Sequence, residues 1–91
     1  MDILLPSVLD LPAASDLRDT LLDALSRDTA GDLVLKAGAV ERISTASVQV
    51  VLAAAAGFKA AARRLVIEEA SAAVTDTFNH LGLAEDLDSI S

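Results

Sequence analysis

The sequence predicts an α/β fold, a mostly parallel (mixed) sheet with helices packed on it, in the order β-β-α-β-α-β-α. Three observations carry this. Leu33-Val34-Leu35 and Leu65-Val66-Ile67 are short, continuously apolar runs, as strands buried on both faces are. Elsewhere the apolar residues recur at three- and four-residue steps, the period of amphipathic helices. The two kinds of segment alternate along the chain, which is the pattern of a parallel sheet crossed by helices.

The elements follow in order. Ile3-Leu4-Leu5 and Val8-Leu9 read as two short strands or one broken edge strand, with Pro6 at an edge or turn. From Pro12 the period changes: Ala14, Leu17, Leu21, Ala24 and Leu25 form a helical stripe, and Asp10 or Ser15 caps it. Asp28-Thr29-Ala30-Gly31-Asp32 is a turn cluster that ends this helix. After the Leu33 strand and Lys36-Ala37-Gly38, the segment Ala39-Val40-Glu41-Arg42-Ile43 leads to Ser44-Thr45-Ala46-Ser47 and a second helix. Its core face is Val48, Val51, Leu52, Ala55 and Phe58, and Ser44 is its natural N-cap. Lys59, Arg63 and Arg64 complement the dipole at its end. Ser71 caps a third helix with Val74, Phe78 and Leu81 on one face. Gly82 and Leu83 then suit a Schellman ending. The acidic tail from Ala84 to Ser91 reads as a last short strand or turn. With three helices for two sheet faces, one face or edge stays less covered and offers a contact surface.

Length and composition bound the function. At 91 residues the chain reads as one domain spanning 1–91. A chain of this size buries only about 60–65% of its unfolded surface, so nearly all its apolar residues serve one core. Its mean hydropathy of +0.49 argues against disorder. With two Phe, no Trp or Tyr and a net charge of -7, neither a base-stacking nucleic-acid platform nor an anionic membrane surface suits it. The charge serves solubility and would match a basic partner. The longest apolar run, Val50 to Phe58, is far short of the ~20 residues of a membrane span. The first residues lack a basic segment and a long apolar core, so the reading is a cytoplasmic protein with no signal peptide and no direct membrane insertion.

Candidate chemistry is sparse. Without Cys and with one His, thiolate catalysis and multi-His zinc sites are excluded, and no metal or cofactor is expected. The four glycines form neither a GxGxxG nor a P-loop spacing. His80 reads as a solvent-facing residue near a helix end, with no nucleophile–base pair around it. Glu68 and Glu69 are adjacent on a strand and point to opposite faces, as a solvated strand end does. The hydroxyl-rich run at the start of the second helix is the one place where an anion, or a phosphate on Thr45, meets free N–H groups. Plain capping is the ordinary role of such a run.

A strand, a small hydroxyl-rich turn and an apolar helix, in a chain of this order and size, resemble a STAS domain. This is the module of anti-sigma factor antagonists and of sulfate transporters. The family's turn reads Asp-Ser-Ser/Thr-Gly-Leu, and Ser44-Thr45-Ala46-Ser47-Val48 stands in its place. Leu65-Val66-Ile67-Glu68-Glu69-Ala70-Ser71 and Phe78-Asn79-His80-Leu81-Gly82-Leu83 are similar to the family's later strand, helix and terminal Gly-Leu. The Ser-Thr-Ala-Ser wording also resembles small STAS proteins of bacterial chemotaxis clusters.

The resemblance implies a binding module and no enzyme. Its partner would be an anti-sigma factor, a GHKL-type kinase or a chemotaxis signalling protein. Docking would use the start of the second helix, through Glu41, Arg42, Ser44, Thr45, Ala46, Ser47 and Gln49. The family's phosphorylatable hydroxyl falls on Thr45, with Ser44 and Ser47 as alternatives. Ser44 replaces the motif's Asp, a charge a kinase partner reads. Ser47 replaces its Gly, which would add a side chain where a partner approaches. The alternative implied by the same resemblance is a STAS subunit of an ABC-type lipid transport system, docked on its ATPase.

Overall fold

The computed structural model describes residues 2–27 and 31–91. Met1 and the Asp28-Thr29-Ala30 part of the expected turn lie outside the described residues. The elements are β1 (Asp2–Leu4), β2 (Val8–Leu9), α1 (Leu11–Ser26), β3 (Leu33–Lys36), β4 (Arg42–Ile43), α2 (Thr45–Ala60), β5 (Leu65–Glu68), α3 (Ala72–His80) and α4 (Ala84–Ser89). Three strands form a parallel sheet in the order β1-β3-β5, with Leu33 opposite Leu65 and Asp2 opposite Val34. A second, two-stranded parallel sheet pairs Val8 with Arg42 and Leu9 with Ile43.

The core strands behave as their sequences dictate. Leu33, Leu35, Leu65 and Ile67 are buried on one face of the sheet, and Val34 and Val66 are half-buried on the other. One face is thus fully covered and the other in part. Onto the same cluster α1 brings Leu17, Leu21 and Ala24, α2 brings Val48, Val51 and Phe58, and α3 brings Val74 and Phe78. Leu52, Ala55 and Leu25 pack at its rim. Gly57 lets α1 and α2 approach closely: a Cβ there would meet the Leu25 Cδ2 at 3.0 Å.

Each long helix begins at a side-chain cap. Asp10, Ser44 and Ser71 accept from the backbone N–H of Ala13, Ser47 and Val74 respectively. The end of α3 is a full Schellman motif. The Leu83 N–H donates to the Phe78 carbonyl at 2.8 Å, the Gly82 N–H to that of Asn79 at 3.1 Å, and Gly82 takes φ +73°. The end of α2 has the same geometry without a glycine. Arg63 N–H donates to the Phe58 carbonyl and Ala62 N–H to that of Lys59, with Ala62 held at φ +57°.

Three expectations are corrected. The segment before α2 contains an extra strand, β4, too short at two residues to leave a periodic signal. The acidic tail forms a helix, not a strand or turn. Leu83, Leu87 and Ile90 stand at helical spacing against the core, and Glu85 and Asp86 sit favourably in the first turn. Leu81 is no core residue: it is the C-cap of α3, where the chain turns away, and is 38% exposed.

Candidate partner-binding site

The site is built by the way β4 hands the chain to α2. The N–H groups of Glu41 and Arg42 both donate to the Ser7 carbonyl, at 2.7 and 3.2 Å, which ties the approach to the β1–β2 turn. Ser44 has extended backbone, φ -80° and ψ 158°, as an N-cap requires. Its Oγ accepts from the Ser47 N–H at 3.1 Å and donates to the Ser47 Oγ at 3.1 Å. The Ser47 Oγ donates in turn to the Leu9 carbonyl at 3.1 Å, and the Ser44 N–H donates to the same carbonyl at 2.7 Å. A hydrogen-bonded relay therefore fixes the first turn of α2 on β2.

This relay sorts the three hydroxyls. Ser47 is 0% exposed, so its side chain serves the fold. The expectation that it projects toward a partner, or accepts a phosphate, does not hold in this geometry. Ser44 is half-buried and engaged as the cap. Thr45, the first residue of α2, is exposed, and its side chain has no hydrogen-bond partner among the described residues. The first turn of α2 holds no acid, so its free N–H groups and dipole face outward without a negative side chain of their own.

The remaining expected residues spread around Thr45. Glu41, Arg42 and Gln49 are exposed, and Ala46 is half-buried. On one side Arg42 and Ser44 line a shallow groove of about 240 Å³ with Val8, Leu9 and Asp10. On the other, Thr45 lines a groove of about 280 Å³ with Asp76, Thr77, His80 and Leu81. Gln49 borders a third, apolar groove between α1 and α2, beside Leu22 and Val50. The sequence assigns Asp10 a capping role and His80 a solvent-facing place at a helix end and carries no sign of a role for Asp76, and the fold brings all three to the grooves that flank Thr45. Asp76 and His80 lie one helical turn apart on α3, and only that spacing hints at a shared face. Glu68 ends β5 and Glu69 follows it with φ +57°, both exposed. Among the described residues no cluster of three or more His, Asp or Glu side chains is placed to hold a metal ion. Nor is any helix there long and apolar enough to cross a membrane.

Compared with known families, residues 2–89 match the model described as "Mlab, STAS domain". No curated protein and no solved structure matches the chain.

Proposed function

The chain belongs to the STAS domain family, and from that premise we propose a signalling module that docks a partner protein through the start of α2 and is switched by phosphorylation of Thr45. STAS domains are in general non-enzymatic modules that bind protein partners. The finer reading rests on one observation: of the three hydroxyls at this turn, Thr45 alone is both exposed and unbonded. A kinase reaches it without disturbing the relay beneath.

The physical logic separates fold from complex. A phosphate adds about -1.5 to -2 charge. At the N-terminus of a helix that charge is tolerated by the dipole and free N–H groups. In the complex it must also be desolvated against the partner, which is costly without a matching cation. Unphosphorylated protein therefore binds, and phosphorylated protein releases an anti-sigma kinase or a chemotaxis protein. Peptide mass spectrometry on protein isolated from its host tests the acceptor. Phosphate is expected on Thr45, and phosphate confined to Ser44 or Ser47 contradicts the reading.

A second reading has one observation in its favour. Ser44 supplies no charge where the family turn carries Asp, which weakens recognition by a kinase and suits a constitutive subunit, such as one docked on the ATPase of an ABC-type lipid transporter. Absence of phosphate under every growth condition, with capture of such an ATPase, selects this reading.

A further inference from the structure

The cations of this chain are few, and most are engaged. Lys36 pairs with Asp2 at 3.8 Å, Arg18 with Asp19 at 3.6 Å and Arg27 with Asp23 at 2.9 Å. Arg63 directs its guanidinium at the carbonyls of Ala24, Leu25, Arg27 and Gly31, and lies 4.7 Å from the centre of the Phe58 ring. Among the described residues Arg42, Lys59 and Arg64 have no anionic partner, although the sequence holds 14 acids against 7 bases. Arg42 lies beside the Thr45 site. Lys59 lies near the other end of α2, about 21 Å along its axis from Thr45 at about 1.5 Å per residue, and Arg64 follows the helix just before β5.

These two cations rim one groove of about 530 Å³, walled by α2, the start of β5 and α4. Leu52, Ala55, Leu65 and Ile90 give it an apolar floor. Asp86 of α4 is the one acid in its lining and forms no ion pair with Lys59 or Arg64. The groove runs beside a sheet edge. β5 is an outer strand, and its Ile67 N–H already donates to the Ile90 carbonyl at 2.6 Å. Leu65, two positions earlier and so on the same side of the strand, lies at the base of the groove with its side chain buried in the core.

We propose that this groove binds an extended acidic segment of a partner protein in which carboxylates alternate with apolar side chains. The carboxylates meet Lys59 and Arg64, and the apolar side chains rest on the half-buried Leu52, Ala55 and Ile90. Charge decides between a peptide and a bilayer. The net charge of -7 repels an extended anionic membrane. A single segment within the Debye length of about 8 Å feels the local pair of cations.

The test is NMR titration of the full, isotopically labelled chain with a short synthetic peptide alternating Glu and Leu, and with its Lys-and-Leu counterpart. Amide shifts are expected at Leu65, Ile67 and Ile90 with the Glu peptide alone. Lys59→Gln together with Arg64→Gln should weaken binding about tenfold; both residues are exposed, so the fold is retained. Asp86→Asn should tighten it several-fold, whereas Asp16→Asn on α1 should not, which separates a local contact from net charge. Thr45→Glu should leave it unchanged, so this site stands or falls independently of the switch. Equal shifts with the Lys peptide, or indifference to Lys59 and Arg64, overturns the proposal. So does binding to phosphatidylglycerol vesicles that needs both cations while the Glu peptide stays unbound.

Discussion

The Ser47 hydroxyl donates to the Leu9 carbonyl at 3.1 Å across 38 positions of sequence. That bond, with the Ser44 N–H on the same carbonyl, holds the first turn of α2 against β2 and leaves Thr45 facing outward. The orientation of the proposed acceptor thus depends on the buried Ser47 and the half-buried Ser44.

The relay should be measurable as coupling. Ser44→Ala removes a helix cap at a cost of ~1 kcal/mol. Ser47→Ala removes two hydrogen bonds and should also cost ~1 kcal/mol, since the Leu9 carbonyl keeps the Ser44 N–H. Because the two hydroxyls bond each other, a double-mutant cycle by urea denaturation should give a coupling of about 0.5 kcal/mol or more. Additive effects would contradict the relay.

Val51 is fully buried on α2 among residues of the sheet and α1. Val51→Asp places an unpaired carboxylate there and should cost upwards of ~4 kcal/mol, enough to unfold a domain of this size. Loss of the circular-dichroism transition on heating is the expected readout. Retention of wild-type stability would mean the α2 stripe faces elsewhere.

A stabilising change is available at the end of α2. Ala62 takes φ +57°, a backbone region that costs a Cβ-bearing residue roughly 1–2 kcal/mol. Part of that gain is offset by the greater freedom of glycine in the unfolded chain, ~0.4–1 kcal/mol. Ala62→Gly should therefore raise stability by about 0.5–1 kcal/mol. A lower denaturation midpoint for the variant would refute the left-handed cap.

Much of this architecture is legible in the sequence because it rests on local chemistry. Leu33-Val34-Leu35 and Leu65-Val66-Ile67 announce strands by being unbroken, and the structure pairs them in register. Asp10, Ser44, Ser71 and the Gly82-Leu83 ending follow from the needs of unsatisfied helix termini. What escapes is set by distant parts of the chain. Arg42-Ile43 becomes a strand only because Val8-Leu9 lies beside it. Leu83, Leu87 and Ile90 become a helical stripe only against a core already formed, and their acidic surroundings mask the spacing. Ser47 turns inward because Leu9 offers it a carbonyl, and the packing of α3 brings Asp76 and His80 to the groove that Thr45 lines. No single-segment pattern carries those encounters.

The most direct test of the central claim is titration calorimetry of the wild-type chain, Thr45→Ala and Thr45→Glu against the partner captured from the host. Thr45→Glu should melt like the wild type, because the helix N-terminus tolerates the charge. It should bind about tenfold or more weakly, a loss of ~1.4 kcal/mol, whereas Thr45→Ala should bind as the wild type does. Equal affinity for wild type and Thr45→Glu would contradict the switch and leave a constitutive adaptor.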